Sequence, residues 1–160
     1  MNSTTTSRRS LPAAPTQAEV AEEFAARNAD VLRYAYENRS WYHFTTEEGW
    51  RANPSFSAVQ QRLLTLVRDL QTEPSAAQAE QRKRARVMRG MEKPGTVNAI
   101  ADFAKRCAPI EAELADFAEP SYLLGVKNGI LDLRQGVLLP FTPDKLITRR
   151  VPWAYDRDAA

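Results

Sequence analysis

Residues 123–155 read Leu-Leu-Gly-Val-Lys-Asn-Gly-Ile-Leu-Asp-Leu-Arg-Gln-Gly-Val-Leu-Leu-Pro-Phe-Thr-Pro-Asp-Lys-Leu-Ile-Thr-Arg-Arg-Val-Pro-Trp-Ala-Tyr, and the reading of this stretch decides the fold. Two turn signals cut it into short apolar runs. Asn128-Gly129 is the dipeptide that accepts positive φ at both centres of a type I′ hairpin. Arg134-Gln135-Gly136 is a second turn, with Gly136 free to adopt the left-handed conformation. The runs Leu123–Val126, Ile130–Leu133 and Val137–Leu139 are each the length of a small strand. The stretch is therefore expected to form an antiparallel meander.

Upstream, the period alternates between helix and strand. Thr16-Gln17-Ala18-Glu19 is a capping box that opens a helix running to about Asn28. From Val31 the period becomes two: Leu32, Tyr34 and Tyr36 alternate with Arg33, Ala35 and Glu37, as in a strand with one apolar face. Trp41 to Phe44 is a second strand and Trp50-Arg51 the start of a third, giving an aromatic meander near residues 32–51. Ser57, with Gln60 three residues on, is expected to cap a helix whose Val59, Leu63, Leu66, Val67 and Leu70 share one face, ending near Thr72. Ser75 starts another helix, Thr96 caps a fourth that Pro109 stops, and Ile110–Phe117 is read as a short additional helix. The fold class expected is α+β, with helices packed on two small antiparallel meanders, one near residues 32–51 and one near 123–139.

The string Asn128-Gly129-Ile130-Leu131-Asp132-Leu133, with Gly136, Pro140, Pro143-Asp144, Ile147-Thr148 and Tyr155, resembles the domain that precedes the helicase in phage and plasmid primases. This is the N-terminal domain also named after the poxvirus primase-helicase. Trp41, Gly49 and Trp50 match a strand pair in that family that carries one Trp before and one after a glycine-containing turn. The resemblance spans Ala21 to Tyr155 and is weakest over residues 57–110. It implies a replication protein in which a hexameric superfamily-3 helicase follows this domain and a primase often lies upstream. By that order the helicase lies outside this sequence, and the short segment before Thr16 leaves no room for a primase. The resemblance implies no ligand-binding role for the motif residues.

Composition is permissive. The chain has 160 residues, 43% of them hydrophobic, and a net charge of +2. That suits one domain (residues 16–156) behind a disordered Ser/Thr/Pro-rich tail (1–15), and it allows a nucleic-acid partner without requiring one. A single cysteine, Cys107, excludes an internal disulfide and fits a reducing cytoplasm. No apolar run is long enough to span a membrane.

Chemistry is hard to find. There is no glycine-rich phosphate loop, so neither ATP binding nor ATP hydrolysis is expected. One His and one Cys cannot make a zinc site. His43 sits between Tyr42 and Phe44 and reads as a sheet residue. Cys107 reads as a small apolar residue. Asp132 reads as a side chain bonded to backbone beside the second turn. Asp156 and Asp158 read as a solvated terminus. No cofactor, no metal and no catalytic residue are assigned.

Two stretches remain as binding candidates. Half of the 14 aromatic residues lie between Tyr34 and Phe56. They are expected in the core; the alternative is base stacking flanked by Arg33, Arg39 and Arg51. The helix over Ser75–Arg89 carries Arg82, Arg86 and Arg89 on one face, flanked by Lys83, with Arg84, Val87, Met88 and Met91 roughly opposite. Arg82, Lys83, Arg86 and Arg89 are the nucleic-acid-binding residues assigned here. The partners expected are DNA and either the helicase domain or the ring subunits of the same protein, with a homo-oligomer as a further expectation. The competing expectation is a docking or oligomerisation collar without nucleic-acid contact.

Overall fold

The computed structural model describes residues 11–53, 56–74, 77–117 and 120–157. The first helix, α1 (Gln17–Arg27), starts as its capping box requires: Thr16 Oγ1 accepts the Glu19 amide at 3.2 Å, and the Thr16 amide donates to Glu19 Oε2 at 2.7 Å. Three strands follow, β1 (Leu32–Ala35), β2 (Ser40–Thr45) and β3 (Gly49–Asn53), then the helices α2 (Ser57–Thr72), α3 (Gln78–Met91) and α4 (Pro94–Ala104). A two-residue strand, β4 (Glu111–Ala112), leads through a 3-10 turn at Leu114–Phe117 into β5 (Leu123–Val126), β6 (Gly129–Asp132) and β7 (Val137–Leu139). Among the described residues no helix is long and apolar enough to cross a membrane.

The first sheet has the order β3-β2-β1-β4. The aromatic meander β1-β2-β3 is antiparallel, as expected, and the added strand β4 pairs parallel to β1 at its edge. Of residues 110–117, expected from sequence to form a short helix, only Leu114–Phe117 is helical, as a single 3-10 turn. Ile110 instead inserts into the core, its carbonyl accepts the Tyr34 amide at 2.8 Å, and the chain continues alongside β1. Nor does this sheet have only one apolar face. Leu32, Tyr34 and Trp41 pack against α1, α2, α3 and α4. Ala35, Tyr42, Phe44 and Trp50 form a second cluster on the opposite face with Ala112 and Phe117, backed by Phe141 and Leu146. A sheet covered on both sides needs large side chains at successive positions, which accounts for the density of rings here.

Three helix starts differ from the sequence expectation. The N-cap of α2 is Phe56, one residue before Ser57, and carries no side-chain cap bond. Ser75 lies outside the described residues, and α3 begins at Gln78 behind Ala77. In α4, Pro94 occupies the first helical turn ahead of Thr96, where its fixed φ and missing N–H cost nothing. At their other ends, α3 runs through Gly90 to Met91, and α4 stops at Ala104, well before Pro109.

The second sheet, β5-β6-β7, follows the strand boundaries expected from its turns. Its first turn does not have the expected form. Val126 pairs with Gly129, so the hairpin centres are Lys127 and Asn128, and neither has positive φ. Gly129 opens β6 at φ +154, where a Cβ would run into the Leu139 carbonyl oxygen. It is selected by the close approach of β7, not by the turn centre. Gly136 does take the left-handed conformation, at φ +64.

Residues 150–155 close along the free edge of β5. Val151 N donates to Gly125 O and Lys127 N to Trp153 O, both at 2.9 Å. Asn128 then clamps the end of this segment: its Nδ2 donates to Tyr155 O at 3.0 Å, and its Oδ1 accepts Tyr155 N at 2.9 Å. The Tyr155 hydroxyl donates to Gly136 O at 3.2 Å, which ties the same segment to the second turn. Trp50 in β3 holds the segment that follows β7, its indole N–H donating to Pro143 O at 3.1 Å.

Candidate nucleic-acid interface

α3 packs on α2 through a narrow apolar seam, with Met88 and Met91 buried. Arg84 lies in the same seam. Its guanidinium donates to Leu11 O at 2.8 Å and to Glu73 Oε2 at 3.4 Å, so this arginine anchors the segment before α1 and is not available to a ligand. At about 100° per residue, the mean direction of Arg82, Arg86 and Arg89 lies roughly 160° from that of Arg84, Met88 and Met91. The stripe thus points straight away from the core. Arg82, Lys83, Arg86 and Arg89 are all exposed. None of the four side chains forms a hydrogen bond or ion pair with a described residue.

This separates them from most cations elsewhere. Arg27 pairs with Glu23 at 2.6 Å, Lys105 with Asp102 at 2.6 Å, and Arg51 with Glu48 at 3.2 Å. Arg150 also reaches Glu48, at 3.7 Å. The acid nearest the end of α3, Glu92, is held toward α2 by Arg68 at 3.9 Å and by Gln71. Lys93, exposed just beyond the helix, adds a cation to this end. The sequence signal for it was the continued i, i+4, i+7, i+11 spacing from Arg82, which Gly90 obscured.

The aromatic meander offers no stacking platform. Trp50 is 1% exposed and Trp41 5%. Arg33 is consumed as well: its guanidinium donates to the carbonyls of Ala29 and Leu32 and lies 5.3 Å over the Trp50 ring. Burial lowers the pKa of Arg33, and Asp30 and Asp116 oppose that shift. Of the rings around this meander Tyr36 is the exposed one, packed edge-on against Tyr34.

The remaining polar candidates have structural partners. His43 Nε2 lies 2.9 Å from an Arg62 guanidinium nitrogen. Arginine can only donate, so this nitrogen accepts and the ring is neutral, with its proton on Nδ1. Burial, and then the Arg62 charge, lower the His43 pKa accordingly. Arg62 also reaches Asn28 Oδ1 at 3.2 Å, so the trio links α1, β2 and α2. Burial pushes the Cys107 thiol up, aided by Glu22, which leaves it a poor nucleophile. Asp132 accepts the Arg134 amide at 2.9 Å beside the second turn. Burial raises its pKa, but the bonds from Arg134 and Gln135 outweigh that and the net shift is downward. Asp158 lies outside the described residues. A surface cavity of about 270 Å³ is lined by Asp116, Asp144, Lys145 and apolar side chains. Two carboxylates against one amine make it a poor seat for phosphate. No group of three or more metal-ligating side chains occurs among the described residues.

Comparison with known families matches residues 21–160 to the family described as D5 N terminal like. The chain belongs to the D5 N-terminal-like family. This is the pre-helicase domain of primase-helicase proteins, a non-catalytic N-terminal domain family, and it places the chain in a DNA-replication context. No curated protein matches the chain. The residues of the second sheet that carry the resemblance read from the sequence hold that sheet together: Asn128 and Tyr155 clamp one another, Asp132 stabilises a turn, and Gly129 admits β7.

Proposed function

We propose that this D5 N-terminal-like domain positions a phage or plasmid superfamily-3 primase-helicase on DNA, and that it does so through the exposed face of α3. The observation that carries the reading is the set of four cations, Arg82, Lys83, Arg86 and Arg89, which face solvent without a partner among the described residues. Arg82 to Arg89 spans about 10 Å at ~1.5 Å rise per residue, enough to follow a few phosphates. α3 carries no aromatic residue, and the rings of the meander are buried apart from Tyr36, which packs edge-on against Tyr34. Binding therefore rests on phosphate contact and not on base stacking, and it is indifferent to sequence. The test is titration of the chain into labelled mixed-sequence duplex at several salt concentrations. The expected result is affinity that falls steeply with salt through counterion release. Absence of binding at low salt would overturn the reading.

A second reading, protein docking without DNA, has its own support. Leu133, Val137 and Trp153 are 53%, 43% and 73% exposed on or beside the second sheet. Under that reading the chain gives no DNA signal, and its mass in solution rises with concentration.

A further inference from the structure

Trp153 is 73% exposed, the most exposed of the large apolar side chains among the described residues. Its indole makes no ring contact and no hydrogen bond with a described residue. The main chain puts it there. Val151 N donates to Gly125 O, so a regular parallel ladder would next give the Lys127 amide to the Val151 carbonyl. The Trp153 carbonyl takes that amide instead, and Pro152 and Trp153 bulge from the edge of the sheet, both exposed. The bulge is held on both sides, by Val151 before it and by the Asn128–Tyr155 clamp after it. The ring is thus presented to solvent on a fixed main chain, and little backbone ordering is left for a ligand to impose.

Its neighbours are cations. Lys127, hydrogen-bonded to Trp153 through the main chain, and Arg157, four residues on, are exposed and have no partner among the described residues. Asp156, the acid of this segment, has an interaction of its own, and Arg150 is committed to Glu48. The other exposed apolar side chains of this sheet, Leu133 and Val137, lie at the β6–β7 turn, at the opposite end of β6 from Lys127 and Asn128. Trp153 therefore lacks the surround of packed contacts that seals a protein hot spot from water. A lone ring beside flexible cations is instead the arrangement that stacks a base and meets the phosphates next to it.

We infer that Trp153 stacks on an unpaired base of single-stranded DNA, with Lys127 and Arg157 against the neighbouring phosphates. The site is separate from α3, and the inference does not rest on the reading of α3. A duplex keeps its bases paired and stacked and gives the indole no free face.

The experiment titrates the full chain with an oligothymidylate of about 15 nucleotides and follows tryptophan emission. Trp41 and Trp50 are buried, so the solvent-exposed, red-shifted emission belongs to Trp153. That component is expected to be quenched as the oligonucleotide binds. Trp153→Leu should lose the quenching and bind about tenfold more weakly, while Trp153→Phe, which keeps a ring, should stay within about threefold of the parent. Both variants should melt with the parent, because the side chain is exposed. Lys127→Gln should reduce the slope of log affinity against log salt by about 0.7. A Trp153→Leu chain that binds the oligonucleotide as the parent does, or a Trp153→Phe chain as weak as Trp153→Leu, would overturn the inference. So would a parent whose exposed emission is not quenched. If Trp153→Leu abolishes a concentration-dependent rise in mass and leaves oligonucleotide binding unchanged, the indole docks protein and the inference falls. A parent that is quenched by oligothymidylate but does not bind duplex upholds this site and overturns the reading of α3; the reverse result removes the site and leaves α3 standing.

Discussion

Asn128 and Arg86 are both exposed polar residues, but their surroundings differ. Asn128 sits in the second sheet with its side-chain donor and acceptor both engaged by the Tyr155 main chain. Arg86 sits on α3 with no partner among the described residues. The same contrast holds across the two regions. The second sheet uses its distinctive residues to close itself, including the glycine that admits β7 and the aspartate that holds a turn. α3 uses one arginine, Arg84, for the fold and leaves a face of cations unused. The motif residues of the second sheet thus serve the fold, and a row of cations without a partner among the described residues lies on α3.

Substitutions can break that contrast from either side, and the largest stability effect is expected at Gly129. A side chain there meets the Leu139 carbonyl at a φ that β-branched residues avoid. Gly129→Val should destabilise the chain by about 1–3 kcal/mol in denaturant unfolding. An unchanged midpoint would remove the close approach of β7 from the account. Next comes Asn128→Ala, which deletes both bonds of the clamp at a solvent-facing position and should cost about 1 kcal/mol. Chymotrypsin should then cut after Trp153 sooner than in the parent; if it does not, the clamp does not hold the 150–155 segment.

A smaller effect sharpens the boundary between structural and available charge. His43 is the only histidine, and its folded pKa lies below the unfolded value of about 6.5. Between the two values the unfolded chain holds the extra proton, so stability rises with pH there. The contribution is complete above about pH 6.5 and is lost as pH falls through that value toward the folded pKa. Melting temperatures measured from pH 7 down to 5 should show this loss, and His43→Gln, whose amide oxygen can still accept from Arg62, should flatten it. A parent chain with no slope in this window would contradict the neutral imidazole.

The parts of the fold legible in the sequence were the ones set by local chemistry. The capping box at Thr16, the apolar period of α2 and the turn residues around β6 each act within a few positions. What was illegible depends on distant partners. Glu111-Ala112 carries no strand pattern, and its pairing with β1 is set by Ile110 entering the core. The Asn128–Tyr155 clamp joins residues 27 apart, and no period reports it. The strict alternation of Leu32, Tyr34 and Tyr36 suggested one apolar face, because the second apolar layer comes from Phe117, Phe141 and Leu146 far along the chain. At the candidate interface the helical wheel was enough to separate Arg84 from Arg82, Arg86 and Arg89. It could not say that the remaining acids would be engaged elsewhere, as Glu92 is.

The central claim is that the α3 stripe meets phosphate, and the salt dependence of the triple variant tests it most directly. Replacing Arg82, Arg86 and Arg89 by Gln keeps helix propensity and leaves the buried seam of α3 untouched, so stability should stay within about 0.5 kcal/mol of the parent. Affinity for duplex should fall alike for unrelated sequences, and the slope of log affinity against log salt should shrink by up to about three units. A triple variant that binds duplex as the parent does, with the same slope, would contradict the account.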